Sequence, residues 1–291
     1  MDWAHRVGEE VVPDSWDECA NLFLSSGGDT VLYRGHRCYE WKLESRLERV
    51  LQEYAERWDP HKLGTMQSSA GDPETDQWAR DEEIRLTQYF QRNAARFDVP
   101  NLPEAWDRLG WWELMQHHGA PTRLMDWTLS PFVALWFALE GHKAGSGDMA
   151  LWIYDRRTAD INHLDALMTF GRSADRGLLD DRQLQNRFVT LALEDKSPAL
   201  IPVTPRQFSR AVAQQSVLTV SPTIGVARPA NWWIRERLAT RVRIREQWKP
   251  EMRASCRSMG LSRPTLYRDL DSLGAYICES FLSGTEMPTA L

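Results

Sequence analysis

The sequence lacks the features that mark membrane, secreted and repeat proteins. No apolar run in its 291 residues reaches the roughly 18 residues of a membrane span. The N-terminal stretch MDWAHRVGEE has neither the basic nor the apolar region of a signal peptide. There is also no internal repeat and no low-complexity tail. We therefore expect a cytoplasmic protein with no membrane partner.

The common metal and nucleotide motifs are missing as well. His117 and His118 are adjacent, so they cannot act together as i,i+4 ligands on a helix, and no HExxH motif occurs. No glycine-rich GxGxxG or Walker loop offers a nucleotide site. We expect no metal site, and we expect reduced thiols at the four cysteines, none of which has CxxC spacing: Cys19, Cys38, Cys256 and Cys278.

Positive charge is in the minority, with 35 Lys and Arg against 41 Asp and Glu and a formal net charge of -6. This balance argues against a broad surface that coats nucleic acid, but it leaves room for a local basic groove. The 14 tryptophans favour a core with many aromatic anchors.

Apolar periodicity predicts both helices and short strands, which places the chain in the α+β class. We predict one domain over residues 1–291, with a core of about 15–280, and a polar loop over 60–77. The predicted helices cover 15–27, 42–58, 78–97, 104–118 and 130–142, and the predicted strands cover 30–36, 148–155 and 214–223.

The polar stretch QHHGAPTRLMDWT, residues 116–128, interrupts two apolar segments. Thr122 and Arg123 follow a proline and should be extended. Asp126 is placed to orient Arg123 or Arg34, with neighbouring Thr and Gln side chains completing the hydrogen bonds. The residues alone leave two interpretations open: a satisfied polar network beneath the core, or the floor of a ligand pocket.

A second candidate lies at the end of the first predicted strand, Tyr33-Arg34-Gly35-His36. An arginine beside a glycine can approach a phosphate or carboxylate with its bidentate fork, and Gly35 would let a ligand come close to the backbone. The alternative is an arginine in a structural ion pair.

These residues, in this order, resemble the FRG domain family, which is named for an aromatic-Arg-Gly motif. That motif is YRG at 33–35, and the second motif is the long QHHGAPTRLMDWTLSPFVALWFAL at 116–139. QQSVLTV at 214–220 is similar to a third family element, with Ser216 and Leu218 departing from its usual Gly and Phe. PTLYRDLDSLGAYI at 264–277 is similar to the closing segment. The chain thus resembles a single FRG domain.

The same motifs are similar, more distantly, to ADP-ribosyltransferases of the Arg-Ser-Glu type. This resemblance implies a central split antiparallel sheet, a helical N-terminal half and NAD as co-substrate without a metal. It also implies Arg34, Asp126 and Gln215 as catalytic residues, with Asp126 or Gln215 in place of the family's Glu. The NAD-binding set would be Tyr33, Arg34, Gly35, His36, His117, His118, Thr122, Arg123, Trp127, Thr128 and Ser130, of which Thr128 or Ser130 also suits a helix N-cap.

The acceptor of the ADP-ribose would be nucleic acid or protein. Basic residues interleaved with tryptophans suit a single-stranded nucleic-acid groove, whereas pairing with Glu236 and Glu246 would make the same residues a solvated face. The candidate substrate-binding arginines are Arg235, Arg241, Arg243 and Arg245.

The leading hypothesis is therefore a toxin or phage-defence effector that transfers ADP-ribose from NAD and is restrained by an antitoxin. Two alternatives remain at this point: a non-catalytic nucleotide-binding or sensor module, and an NAD glycohydrolase.

Overall fold

A seven-stranded mixed sheet organises the part of the chain described by the structure, a computed structural model covering residues 8–25, 30–66, 73–155, 181–195, 201–203, 209–221, 223–224 and 232–283. The strand order is β1-β7-β4-β2-β3-β6-β5. Only β1 and β7 run parallel, and the other neighbours are antiparallel. The strands are β1 (Glu10–Val11), β2 (Val31–His36), β3 (Leu124–Thr128), β4 (Met149–Asp155), β5 (Ile201–Val203), β6 (Ser216–Val220) and β7 (Thr240–Ile244).

Helices surround this sheet in the described ranges, and they come from both ends of the chain. The first six are α1 (Trp16–Ser25), α2 (Arg46–Trp58), α3 (Pro60–Met66), α4 (Pro73–Ala94), α5 (Arg108–His117) and α6 (Pro131–Leu139). The others are α7 (Asp181–Asp195), α8 (Ser209–Ala213), α9 (Trp232–Arg235), α10 (Lys249–Ser258), α11 (Arg263–Tyr267) and α12 (Leu270–Ser283), and a 3-10 turn covers Glu246–Trp248.

The predicted mixture of helices and strands is confirmed, but two details differ. Part of the predicted loop 60–77 is helical, because Asp59 accepts the Lys62 amide at 3.1 Å and caps α3. The N-terminal half is also not simply helical, since it supplies β1, β2 and β3. No helix in the described ranges is both long and apolar enough to pass through a bilayer.

The sheet is continuous on both sides of one weak point. β2 pairs with β4 along its whole length, from Val31–Asp155 to His36–Ala150, and β3 pairs with β6 along its whole length. Between β2 and β3, by contrast, the single register pair is Tyr33–Thr128. The two strands therefore separate after Tyr33, and the sheet opens there.

Side chains of β2 alternate between two apolar clusters, as the two-residue period of a strand requires. Val31 and Tyr33 pack into the cluster that contains α6, whereas Leu32 packs with Trp152 on the opposite face. Arg34 follows Leu32 by two positions, so its side chain projects to the same face as Leu32 and Trp152. This places it at the opening beside β3.

Gly35 is required by the packing of α6 on β2. A Cβ at this position would lie 1.9 Å from the carbonyl oxygen of Ala134 and 2.8 Å from the amide nitrogen of Ala138. The structure thus shows a close approach at Gly35, made by the backbone of α6; the predicted approach of a ligand stays a prediction.

We expect Gly35→Ala to lower the free energy of unfolding by about 3 kcal/mol, because neither backbone can yield to the added methyl group without shifting α6. Urea denaturation measures the difference. Gly274→Ala in α12 is the matched control: a Cβ there meets no atom within 4 Å, and the exchange should stabilise the helix by roughly 0.5–1 kcal/mol. Equal midpoints for Gly35→Ala and the unmodified protein would contradict this account of the packing.

Candidate functional site

A cleft of about 1190 Å³ lies where β2 and β3 separate. The cleft is lined by α2 and the segment before it, and by α5, α8 and α11. Ala134 and Phe137 of α6 also border the cleft. The strands themselves present Arg34 and His36 from β2 and Asp126 from β3, so the opening in the sheet brings residues of both predicted motifs to one cavity.

Arg34 bridges the two separated strands. Its Nη1 donates to the main-chain oxygen of Asp126 at 2.6 Å, and its Nε lies 3.2 Å from Nε2 of His36. Burial lowers the pKa of Arg34, and the nearby Asp126 carboxylate partly offsets this. The sequence predicted that Asp126 orients Arg34 or Arg123. The structure pairs it with Arg34, through the carbonyl.

His36 is a buried, neutral support for Arg34. Burial holds its pKa well below the ordinary value, and the positive charge of Arg34 adds to this. Its Nδ1 lies 3.2 Å from the indole Nε1 of Trp152. A neutral imidazole accepts at one nitrogen only, so at any moment it can serve either Arg34 or Trp152. His36 therefore supports the guanidinium of Arg34 in the tautomer that leaves Nε2 unprotonated, and burial disfavours the imidazolium form.

Asp126 presents its carboxylate to the cleft between two buried neighbours in β3. Its Oδ1 accepts Nε2 of Gln116 at 2.7 Å, and Oε1 of the same amide accepts the Thr122 hydroxyl at 3.0 Å. The amide of Gln116 is thereby fixed in one orientation, and it aims the carboxylate. Within the described part of the chain, Oδ2 of Asp126 has no protein donor, which leaves it for a bound molecule.

Arg123 lies away from the cleft, although the sequence placed it in the binding set. It is 1% exposed and pairs through two nitrogens with the carboxylate of Glu83 on α4. Its Nη1 donates to the main-chain oxygen of Ser221 at 3.0 Å, and its guanidinium stacks over Trp112 at 5.4 Å. Arg123 therefore links α4, α5 and the residue after β6, and its contacts stabilise the fold.

Several other predicted binding residues also have structural tasks. The Trp127 indole is buried and donates to the Thr219 hydroxyl at 2.8 Å. Thr128 donates to the Gln214 carbonyl at 2.7 Å, and Ser130 caps α6 by accepting the Val133 amide, so the predicted N-cap is confirmed. Tyr33 borders the cleft but is 1% exposed within the core.

The two glutamines at the start of the third motif lie in different places: Gln214 lines the cleft and Gln215 does not. Gln215 has a positive φ of 47° and is exposed outside the cleft lining, with its carbonyl accepting the Leu129 amide at 3.1 Å. Gln214 lines the cleft instead, and its Nε2 donates to the Leu266 carbonyl at 3.2 Å. The left-handed backbone at Gln215 turns the side chains of Gln214 and Gln215 in different directions. Gln214 therefore lines the cleft in place of Gln215.

The adjacent histidines also separate. Both are exposed, but only His117 lines the cleft. Partial burial lowers the pKa of His117, and the neighbouring His118 and Arg210 lower it further. No three His, Cys, Asp or Glu side chains within the described ranges are grouped as metal ligands.

The four arginines predicted to hold nucleic acid lie outside the cleft. Arg241 is buried, 3.0 Å from Oε1 of Glu10 and stacked over Tyr39 at 4.3 Å. Arg243 donates to Asp148 at 2.7 Å, and its guanidinium carbon lies 4.8 Å from the centroid of the Tyr39 ring. Arg245 lies 3.8 Å from Asp14, and Arg235 is exposed on α9. Most of the charge along β7 is therefore neutralised by nearby carboxylates.

The cleft also contains residues that the sequence did not predict, and they come from distant elements of the chain. Among them, Tyr267 donates to Oε2 of Glu140 at 2.7 Å, and Arg263 pairs with Oε1 of the same carboxylate at 2.8 Å. The PTLYRD segment was the one available signal for this group. The other residues that sequence reasoning missed include Glu44, Arg49, Gln52, Glu113, Arg210 and Gln214.

Comparison with protein-family models matches residues 29–146 to the FRG domain. The matched range contains the YRG motif and the long motif at 116–139, but it ends before QQSVLTV and PTLYRD. No curated protein and no solved structure matches the chain.

Arg123→Met should lower the free energy of unfolding by about 3–5 kcal/mol, because it leaves the buried Glu83 carboxylate without its cation. The double variant Glu83→Met/Arg123→Met should recover most of that loss, since no buried charge remains. Chemical denaturation of the three proteins checks this. If Arg123 served a ligand and not the fold, the single variant would unfold together with the unmodified protein.

Proposed function

From the assignment of residues 29–146 to the FRG domain family, we propose that the protein is an NAD-dependent ADP-ribosyltransferase acting in the cleft between β2 and β3. One observation carries the proposal: Arg34 and Asp126, from two separating strands, face a single cavity of about 1190 Å³. Ligand pockets for drug-sized molecules span about 300–1,000 Å³, so this cavity suits a dinucleotide.

The charges in the cleft fit the two ends of the reaction. The guanidinium of Arg34 would bind the NAD pyrophosphate with the donors that His36 and the Asp126 carbonyl do not use. The bond between the ribose C1′ and the nicotinamide nitrogen then breaks, and nicotinamide leaves with the electron pair. Positive charge develops on the ribose, as in glycoside cleavage, and the Asp126 carboxylate would stabilise it.

Transfer is completed when a nucleophile of the acceptor bonds to C1′ and loses its proton to a base. The acceptor would be a nucleic acid or a protein, and water in its place would make the protein an NAD glycohydrolase. The single β2–β3 pair supports the proposal further, because a central split sheet accompanies this chemistry in the transferases that the motifs resemble. We extend the proposal to a toxin or phage-defence role in which an antitoxin limits NAD consumption.

A non-catalytic NAD sensor is the second candidate. It is favoured by Gln215, which stands where those transferases carry Glu and which lies outside the cleft lining. In that case Asp126 and Arg34 would recognise the nucleotide without breaking it.

Labelled NAD distinguishes these functions. The unmodified protein, incubated with NAD and with RNA, DNA or cell lysate, should release nicotinamide and label a macromolecule. Asp126→Asn should slow this release roughly 10²–10³-fold by removing the charge that stabilises the transition state. Arg34→Gln should mainly raise the KM for NAD.

The matched controls are Asp98→Asn and Arg253→Gln, which make the same exchanges at exposed positions outside the cleft and should leave the rate unchanged. Nicotinamide release without label on any acceptor would identify a glycohydrolase. NAD binding by calorimetry with no turnover under any condition would overturn the transferase proposal and establish the sensor.

A further inference from the structure

In the same cleft, Arg210 of α8 lies with its guanidinium carbon 4.2 Å from the ring centroid of Tyr267. A guanidinium stacked on an aromatic ring keeps its N–H groups around its own edge, so they remain available to a ligand at the side of the ring. The stack also reduces the rotamer freedom that Arg210 would otherwise lose on binding.

Tyr267 is itself held rigidly. Its hydroxyl donates to Glu140 at 2.7 Å, and its ring makes edge contacts with Trp136 at 5.9 Å and Phe137 at 6.3 Å. Burial, together with the Glu140 carboxylate, raises the pKa of Tyr267 to about 12. The phenol therefore stays protonated, and the ring is a fixed platform for Arg210.

Of the two arginines beside Tyr267, Arg263 has a carboxylate partner, whereas Arg210 makes no salt bridge within the described residues. Arg263 pairs with Glu140 at 2.8 Å. Asp269 caps α12 by accepting the Ser272 amide at 2.7 Å. A side-chain hydrogen bond with Ser272 is the main cause of the lowered pKa of Asp269, the amide bond is the next, and the charge of Arg210 adds to both. Within the described residues, no carboxylate or carbonyl accepts a hydrogen bond from Arg210.

We propose that Arg210, stacked on Tyr267, is a second phosphate-binding position in the cleft, separate from Arg34. It is half-buried at the cleft wall and presents a cation with unused planar donors, the geometry that binds phosphate oxygens in pairs. Gln214 ties α8 to α11 through its bond to the Leu266 carbonyl, so Arg210 and Tyr267 keep their relative position.

This inference deepens the proposed function and rests on it for the identity of the phosphate. Two sources share the chemistry. The phosphate belongs either to NAD itself, held between Arg34 and Arg210, or to a nucleic-acid acceptor entering from the wall formed by α8 and α11. The second source would move any nucleic-acid contact from the arginines of β7 to Arg210.

Calorimetry with three probes tests the position: inorganic pyrophosphate, NAD and a single-stranded RNA decanucleotide. Arg210→Gln should weaken binding of at least one probe about tenfold or more, the loss expected for a charge-assisted hydrogen bond. Tyr267→Leu, which removes the platform, should weaken the same probe. Arg253→Gln, an equal change of charge on α10, should leave all three unchanged, and thermal unfolding confirms that each variant is folded.

The pattern of losses identifies the source. Weaker NAD binding by Arg210→Gln assigns the phosphate to the dinucleotide, whereas weaker RNA binding with intact NAD binding assigns it to the acceptor. Weaker pyrophosphate binding alone still supports the position. The proposal is overturned if Arg210→Gln binds all three probes like the unmodified protein, or if Arg253→Gln shows the same loss. Pyrophosphate binding needs no turnover, so this result is separable from a failure to release nicotinamide.

Discussion

The pairing of β2 with β3 is limited to Tyr33 and Thr128, and the cleft exists because of that limit. Two strands that separate leave main-chain groups without their ladder partners, and such groups must find others. The carbonyl of Asp126 finds one in the guanidinium of Arg34 at 2.6 Å. A side chain thus replaces part of a strand–strand hydrogen bond, and in doing so it is held at the cavity edge. The device that keeps the sheet open also fixes the charge offered to a ligand.

Strand periodicity explains which residues of the long motif reach the cleft. In β3, Met125 and Trp127 are buried, and Asp126 between them is exposed. The sequence predicted that Arg34 and Asp126 share one site, because the two motifs that contain them occur together in the families that the chain resembles. It also assigned Arg123 and Trp127 to the site. Arg123 lies outside the cleft, whereas Trp127 borders it and is 2% exposed. Their partners, Glu83 and Thr219, lie 40 and 92 residues away along the chain.

The cluster of Glu140, Arg263 and Tyr267 could not be predicted from the sequence, again because the partners are distant along the chain. Glu140, Arg263 and Tyr267 meet across more than 120 residues, and the short helix α11 brings them together. The exchange of Gln215 for Gln214 depends on one left-handed residue, which no periodic pattern encodes. The general class of the fold, by contrast, follows from apolar periodicity, because each element of the sheet and its cover needs a buried face.

The charge distribution has the same logic. Arg241 and Arg243 of β7 are paired with Glu10 and Asp148 and stacked on the ring of Tyr39, so they contribute to packing beside the sheet more than to a surface potential.

The register of β2 has a consequence for how the chain can be divided. The FRG domain match ends at residue 146, three residues before β4 begins, yet β4 supplies the complete antiparallel partner of β2. The partner of β3, β6, lies further on still. A fragment cut at the matched boundaries would carry two strands whose ladder partners had been removed, and such open edges pair readily between molecules. We therefore expect that residues 29–146 alone would not form this sheet, and that the cleft needs residues from beyond the matched range.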